Sequence, residues 1–335
     1  MISKKGFKLN IAVINHFCSS SFKGLFVTEN SGKEYDNTVI DIASEDNWME
    51  KSANNTKEYC DLHGYEFFLK KYQEMPTERS ISWYGLDVLS DILNDNPKNS
   101  IDWIMYADID VLFMRDEVLL EDIIEKAERL GKKAIFPNQK RAYVSSYKTG
   151  EIVTAKNAVC AGAFFIKKCE WSKRLIERIW SFPYESPKHI SILHDKHVEQ
   201  DCFNIFMSEN IMSLEENSLL MPNRVFNSFS HWNTEGEIDL IRYQDGDFII
   251  HLAGLNWEQR EALVEEHLHR KSNPDKSTWT DIPDSLLRNG VTWQQLKPRL
   301  EATKKVREKI EVDKQKDLQA KAQKSQGTLR RKKKK

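Results

Sequence analysis

The sequence predicts an α/β fold, with a mostly parallel central sheet flanked by helices, and three observations predict it. Strand-like and helix-like segments alternate through the N-terminal third of the chain. Apolar runs such as WIMYA at residues 103–107 are continuous instead of alternating, as in strands covered on both faces. That run ends in two carboxylates, Asp108 and Asp110, where a parallel strand delivers its last residues to a ligand crevice.

Residues 8–17 read as the first strand, with polar Asn15 near its C-terminal end. Residues 19–45 are polar and bear Gly, Ser and Asn, so they read as loop. Helical spacing over residues 46–64 stops at Gly64. Residues 65–69 are a second strand, and residues 80–94 are a helix with Trp83, Leu86, Leu89 and Ile92 on its apolar positions. The central strand covers residues 101–108. A helix over 119–130 closes at Gly131, and a strand follows over 133–137. Residues 138–157 are polar and are expected to form a long loop over the site. Residues 158–167 (AVCAGAFFIK) read as a strand, with Gly162 marking a place where another group approaches the backbone. Helices are expected over 170–180 and 199–208. Residues 219–229 mix strand and turn, and residues 248–252 form a short strand before Ala253-Gly254.

The chain divides into a catalytic domain over residues 1–290, a helical C-terminal extension over 291–325 and a disordered basic tail over 326–335. Residues 301–323 contain no aromatic side chain, and their heptads are too irregular for a coiled coil. The formal net charge of −1 hides an asymmetry, because the last six residues are all basic. Without them 44 Lys and Arg face 51 Asp and Glu, a net of −7. An acidic body excludes nucleic acid as the expected partner, while the tail suits an anionic membrane surface or a solvated end. The five Cys are scattered and lack CxxC spacing, so buried free thiols are expected, neither a disulfide framework nor a zinc site. No apolar run approaches the roughly 18–20 residues that span a bilayer, and the expectation is a cytoplasmic enzyme, peripheral to a membrane at most.

Two Asp at i and i+2 on an extended segment point the same way. On a buried scaffold such neighbours repel unless a cation compensates them. Asp108 and Asp110 are therefore candidate ligands of Mn²⁺ or Mg²⁺, with phosphate oxygens completing the coordination. The plainer alternative is a strand end with two solvated turn carboxylates. His251, at a strand end in DFIIHLAG, is the third candidate ligand; the alternative for it is a hydrogen-bonded core histidine. Gly254 would let backbone N–H groups approach a diphosphate. Asn15 and Ala107 end their strands at the same crevice and join Asp108 and Gly254 as candidate nucleotide-binding positions. Glu199, Gln200 and Asp201 open a helix, where acids are favoured by the helix dipole alone or contact substrate beside the metal.

These residues resemble glycosyltransferase family 34, the retaining α-galactosyl-, α-mannosyl- and xylosyltransferases. Five segments are similar to its blocks in the right order: HGYEFF with SWYGLDVLSDIL, WIMYADIDVLF, AGAFFIKKCEWS, EQDCFNIFM with MPNRVFNSF, and DGDFIIHLAG. They cover about the central 200 residues. The resemblance implies a GT-A fold, a Rossmann-like domain binding a nucleotide-sugar through Mn²⁺, with UDP favoured over GDP and a glycan or glycolipid hydroxyl as acceptor. It implies metal binding by Asp108, Asp110 and His251, a diphosphate contact at Gly254, and catalytic positions at Gln200, Glu199 and Asp201. A homo-oligomer is within the expectation. Two departures stand out. Gly85 stands near a position where part of the family has Lys, so a phosphate contact falls to another cation such as Arg79 or Lys140. Family members also commonly carry an N-terminal membrane anchor, and none is read here. The competing readings are a haloacid-dehalogenase-like phosphatase with Asp108 as nucleophile, which needs a late acid pair such as Asp245 and Asp247, and a nucleotide-sugar-binding module without activity.

Overall fold

The computed structural model describes residues 9–18, 47–72, 79–94, 101–139, 142–145, 152–155, 157–185, 190–193, 198–229, 242–255 and 257–273. The loop expected over 19–45, the helical extension over 291–325 and the basic tail over 326–335 lie outside the described residues. No described helix is long and apolar enough to cross a membrane.

The expected alternation is present: β1 (Ile11–Cys18), α1 (Trp48–His63), β2 (Glu66–Tyr72), α2 (Tyr84–Asn94) and β3 (Trp103–Ala107) follow in order. β1 lies between β2 and β3 and is parallel to both. Local chemistry sets the helix ends. The Asn47 side chain accepts the N–H groups of Met49 and Glu50, satisfying donors that the first turn leaves open. Gly64 ends α1 at φ 75°, a left-handed cap that costs a glycine little.

The central sheet continues through β8 (Ala163–Lys167), β5 (Ala134–Asn138) and β9 (Ser218–Pro222), giving the order β2-β1-β3-β8-β5-β9. It is mostly parallel, as expected for a GT-A domain, but β8 runs antiparallel to both its neighbours. Side chains alternate across it. Ile104 and Tyr106 join one core with α2, α4 (Glu170–Glu185) and α5 (Val198–Ser208). Trp103, Met105 and Ala107 join the other with α1 and α3 (Leu120–Arg129). Both faces are therefore dry, which is why the strand runs are continuously apolar.

A second sheet carries the site. Its three strands, in the order β10-β11-β4, are β10 (Ser228–Phe229), β11 (Ile249–His251) and β4 (Val111–Phe113). Short helix α6 (Leu214–Asn217) leads into β9, and helix α7 (Trp257–Ser272) follows β11. Leu255 and Val264 pack with Trp48, Met49, Leu112 and Ile250 in a third apolar cluster that ties α7 and α1 to this sheet.

Two expectations are corrected. The loop expected over residues 138–157 contains an antiparallel hairpin, β6 (Ala142–Ser145) with β7 (Ile152–Ala155). Its Val144, Ile152, Val153 and Thr154 are strand formers that the polar surroundings obscured. The strand expected over 158–167 begins only at Ala163; Val159 makes an isolated bridge to Asn138, and the Ala161-Gly162 step lies outside the ladder. Of the cysteines, Cys60, Cys160 and Cys202 are buried free thiols and Cys169 is a half-buried one.

Candidate active site

The two acids are brought together by a turn, which corrects the extended geometry read from their spacing. The Asp108 N–H donates to Gly162 O at 2.7 Å, and the Val111 N–H donates back to Asp108 O at 3.1 Å. The chain thus reverses between β3 and β4 with Asp108 and Asp110 on its tip. β4 then pairs antiparallel with β11, and Val111 stands opposite His251. The Leu252 N–H donates to Asp110 O at 2.9 Å, so the backbone fixes the histidine strand against the acid turn.

His251 Nε2 lies 3.2 Å from Asp110 Oδ1 and 3.8 Å from Asp108 Oδ2. Asn227 Oδ1 lies 2.9 Å from His251 Nδ1 and accepts its N–H, so Nε2 is the nitrogen aimed at the carboxylates. The ring is held against Phe229 at 5.4 Å between centroids, and Gly162 meets it on the backbone. A Cβ on Gly162 would lie 2.1 Å from His251 Cε1. The close approach read from the sequence at Gly162 is therefore the approach of an imidazole. Asp110 Oδ2 accepts Arg260 Nε at 3.1 Å, with Arg260 Nη2 at 2.9 Å. Tyr106 donates its hydroxyl to Asp108 Oδ1 at 2.8 Å.

Electrostatics follow from this packing. Burial works to raise the Asp110 carboxyl, but Arg260 and then His251 hold it well below the usual carboxylate range. Burial, then the charge of Asp110, raises Asp108. Burial opposes charge on His251, yet Asp110 prevails and raises it to about 10. Without a metal, the imidazolium is thus the cation between the acids. Its folded-state pKa lies above the ordinary 6.5, so its stabilisation is complete below pH 6.5 and is lost as pH rises through about 10. A metal must displace that proton. Mn²⁺ binding is therefore expected to release protons and to tighten as pH rises from 6 to 9. Calorimetry in buffers of different ionisation enthalpy measures both, and an affinity independent of pH would contradict the arrangement.

The ligand atoms of Asp108, Asp110 and His251 all lie within 4.8 Å of one another. Two carboxylate oxygens and an imidazole nitrogen form a hard-to-borderline donor set that fits Mn²⁺ or Mg²⁺.

The other expected site residues are placed as follows. Asn15 is buried, donates to Ala107 O at 2.8 Å, and leaves its Oδ1 without a partner among the described residues. Ala107 is fully buried, and its carbonyl is taken by the Asn15 amide. Gly254 is exposed at φ 73° in the turn after β11. Glu199, Gln200 and Asp201 lie in the first turn of α5. Gln200 Oε1 accepts the Ala161 N–H at 3.1 Å, so this side chain fixes the step beside Gly162. Glu199 is buried, its Oε2 has no partner among the described residues, and burial followed by the charge of Asp108 raises its carboxyl well above the usual range. Asp201 is half-buried on the same turn.

Sequence reasoning missed Arg260 and Asn227. Asn227 is one position before β10 and carried a signal, since it falls in the MPNRVFNSF block. Arg260 lies on α7, where only Val264 and His267 are buried, so no apolar stripe announced the helix. Of the cations named for a phosphate contact, Lys140 lies outside the described residues. Arg79 is buried against aromatic rings, 4.0 Å from the Trp180 centroid and 4.9 Å from that of Trp83. The acid pair a phosphatase would need is committed elsewhere: Asp247 is paired with Arg224 at 2.7 Å and accepts Ser228 Oγ at 2.8 Å.

Residues 25–262 match the family described as the galactosyl transferase GMA12/MNN10 family. An uncharacterized alpha-1,2-galactosyltransferase, C637.06, of Schizosaccharomyces pombe is 26% identical over 264 residues, which cover 73% of this chain and 74% of that protein. The probable alpha-1,6-mannosyltransferase MNN10 of Saccharomyces cerevisiae is 26% identical over 246 residues, covering 66% of this chain and 60% of that protein. Among solved structures, a glycosyltransferase involved in the glycosylation of the major capsid of PBCV-1 is similar at a TM-score of 0.48 and 14% identity, over 77% of this chain and 99% of that one.

Proposed function

Because the chain belongs to the galactosyl transferase GMA12/MNN10 family and is a glycosyltransferase, we propose that it is a metal-dependent, retaining enzyme. It would move a hexose or pentose from a UDP-sugar, in preference to a GDP-sugar, to a hydroxyl of a glycan or glycolipid. The observation that carries the reading is the convergence of Asp108, Asp110 and His251 at the sheet edge. The relatives named as galactosyl- and mannosyltransferases support a nucleotide-sugar donor.

Asp108 Oδ2, Asp110 Oδ1 and His251 Nε2 would hold Mn²⁺ or Mg²⁺. When bound, the metal supplies neutralisation of charge on the departing diphosphate. The protein supplies the rest. Asn227 keeps the imidazole in the tautomer that leaves Nε2 free. Burial and then the charge of Asp108 raise the Glu199 carboxyl and favour its protonated form, which can donate a hydrogen bond to a sugar hydroxyl, a role closed to an ionised carboxylate. Gln200 spends its carbonyl on Ala161 and keeps its amide N–H groups for a substrate oxygen. Asn15, within β1, offers an orphaned acceptor for an N–H of the base. In a front-face reaction the bond from the anomeric carbon to the phosphate breaks and the bond to the acceptor oxygen forms on the same side. The acceptor proton passes to the departing phosphate oxygen. The basic residues 330–335 would hold the enzyme at an anionic membrane that carries a lipid-linked acceptor.

Calorimetric titration with UDP and with GDP, each with Mn²⁺ and with EDTA, tests the reading. Metal-dependent binding of UDP, at least tenfold tighter than with EDTA, is the expected result. Binding of GDP alone would move the donor to a GDP-sugar, and binding of neither by folded protein would remove the donor site.

A further inference from the structure

We propose that Arg260 is the phosphate-contacting cation of the donor site, holding a metal ligand with one edge and the diphosphate with the other. The inference rests on the donor-site reading above and adds a residue to it. Arg260 spends Nε and Nη2 on a single oxygen, Asp110 Oδ2. That carboxylate's other oxygen, Oδ1, faces His251 Nε2 at 3.2 Å and is the one turned to the metal position. Among the described residues Nη1 is left without a partner, and the side chain is 18% exposed. The guanidinium is steadied by Trp48, whose ring centroid lies 5.5 Å from Cζ, and by the packing of α7 on α1.

Charge points the same way. A neutral His251 is required of a ligand. With a divalent cation between Asp108 and Asp110, the site therefore carries excess positive charge once Arg260 is counted. Asp110 already joins the guanidinium to the cation position, but Asp108 and Asp110 together only balance a divalent ion, so the guanidinium's own charge is left for a further anion. A diphosphate that completes the coordination is such an anion, and the planar fork of Arg suits its paired oxygens.

The test compares nucleoside diphosphate with nucleoside. Mn²⁺ affinity is measured first for each variant, because Arg260 also orients Asp110, and nucleotide titrations are then made at saturating Mn²⁺. Arg260→Gln is expected to weaken UDP about ten- to a hundredfold, the worth of hydrogen bonds to a charged group, and to leave uridine unchanged. GDP with guanosine serves as a second pair, since the inference concerns phosphates and not the base. Arg260→Lys, which keeps the charge but not the fork, should recover part of the loss. An unchanged affinity for UDP and GDP, or equal losses for diphosphate and nucleoside, would overturn the assignment. Wild-type protein that binds none of the four would instead overturn the donor site itself, and this assignment with it.

Discussion

Asp110→Ala and His251→Ala will each weaken Mn²⁺ binding by more than about a hundredfold and abolish sugar transfer, while the protein stays folded. The magnitude follows from what is lost. Replacing partners that merely orient a metal ligand already costs about 10–100-fold in affinity, and these substitutions remove ligand atoms. The fold survives because the acid turn is held by backbone bonds: Asp108 N–H to Gly162 O, Val111 N–H to Asp108 O and Leu252 N–H to Asp110 O. Asp110→Ala also leaves Arg260 unpaired on Asp110's side, but that side chain reaches solvent, so the penalty stays modest. Asp110→Asn preserves shape and separates ligand loss from packing loss. Mn²⁺ titration followed by electron paramagnetic resonance, with thermal melts, reads both. An Asp110→Ala protein that kept Mn²⁺ affinity within threefold would sink the metal role.

Gly162→Ala will be as severe for the metal and more costly for the fold. The new methyl would lie 2.1 Å from His251 Cε1 and under 3.0 Å from both ring nitrogens, closer than atoms approach. Retreat of the ring would give up its packing against Phe229 and the Asn227 hydrogen bond. Retreat of the glycine would break the Gly162 O bond that anchors Asp108. Overpacking of this kind costs about 1–3 kcal/mol, and either movement spoils the spacing of the three ligands. A double-mutant cycle separates this contact from general misfolding. In a His251→Ala background, the stability cost of Gly162→Ala should largely vanish. A cost that persisted undiminished would place the clash elsewhere.

The order of elements along the first half of the chain was legible because each strand carried its own apolar run and each helix its own stop, Gly64 and Gly131 among them. The acid pair and His251 were legible because they end apolar strands. What stayed hidden was set by partners distant in sequence. A strand buried on both faces reads the same whether it runs parallel or antiparallel, so β8 gave no sign of its reversed direction. The hairpin β6–β7 hid in a polar stretch. The Asp108–Val111 turn leaves the spacing of the acids unchanged and alters only how they converge. Helix α7 buries so few side chains that its pattern is nearly all charge, and nothing near Arg260 points to an aspartate 150 residues earlier.

That separation has a consequence for how the molecule is made. Asp108 and Asp110 leave the ribosome well before the cations that neutralise them, and translation at about 5–20 residues per second puts roughly 8–30 s between Asp110 and Arg260. For most of that interval β1, β2 and β3 can pair, but until residues 249–251 are made β4 has no β11 beside it and the acid turn lacks both His251 and Arg260. The nascent chain therefore holds an open, negatively charged crevice, and the site closes as one of the last events, when α7 docks on α1.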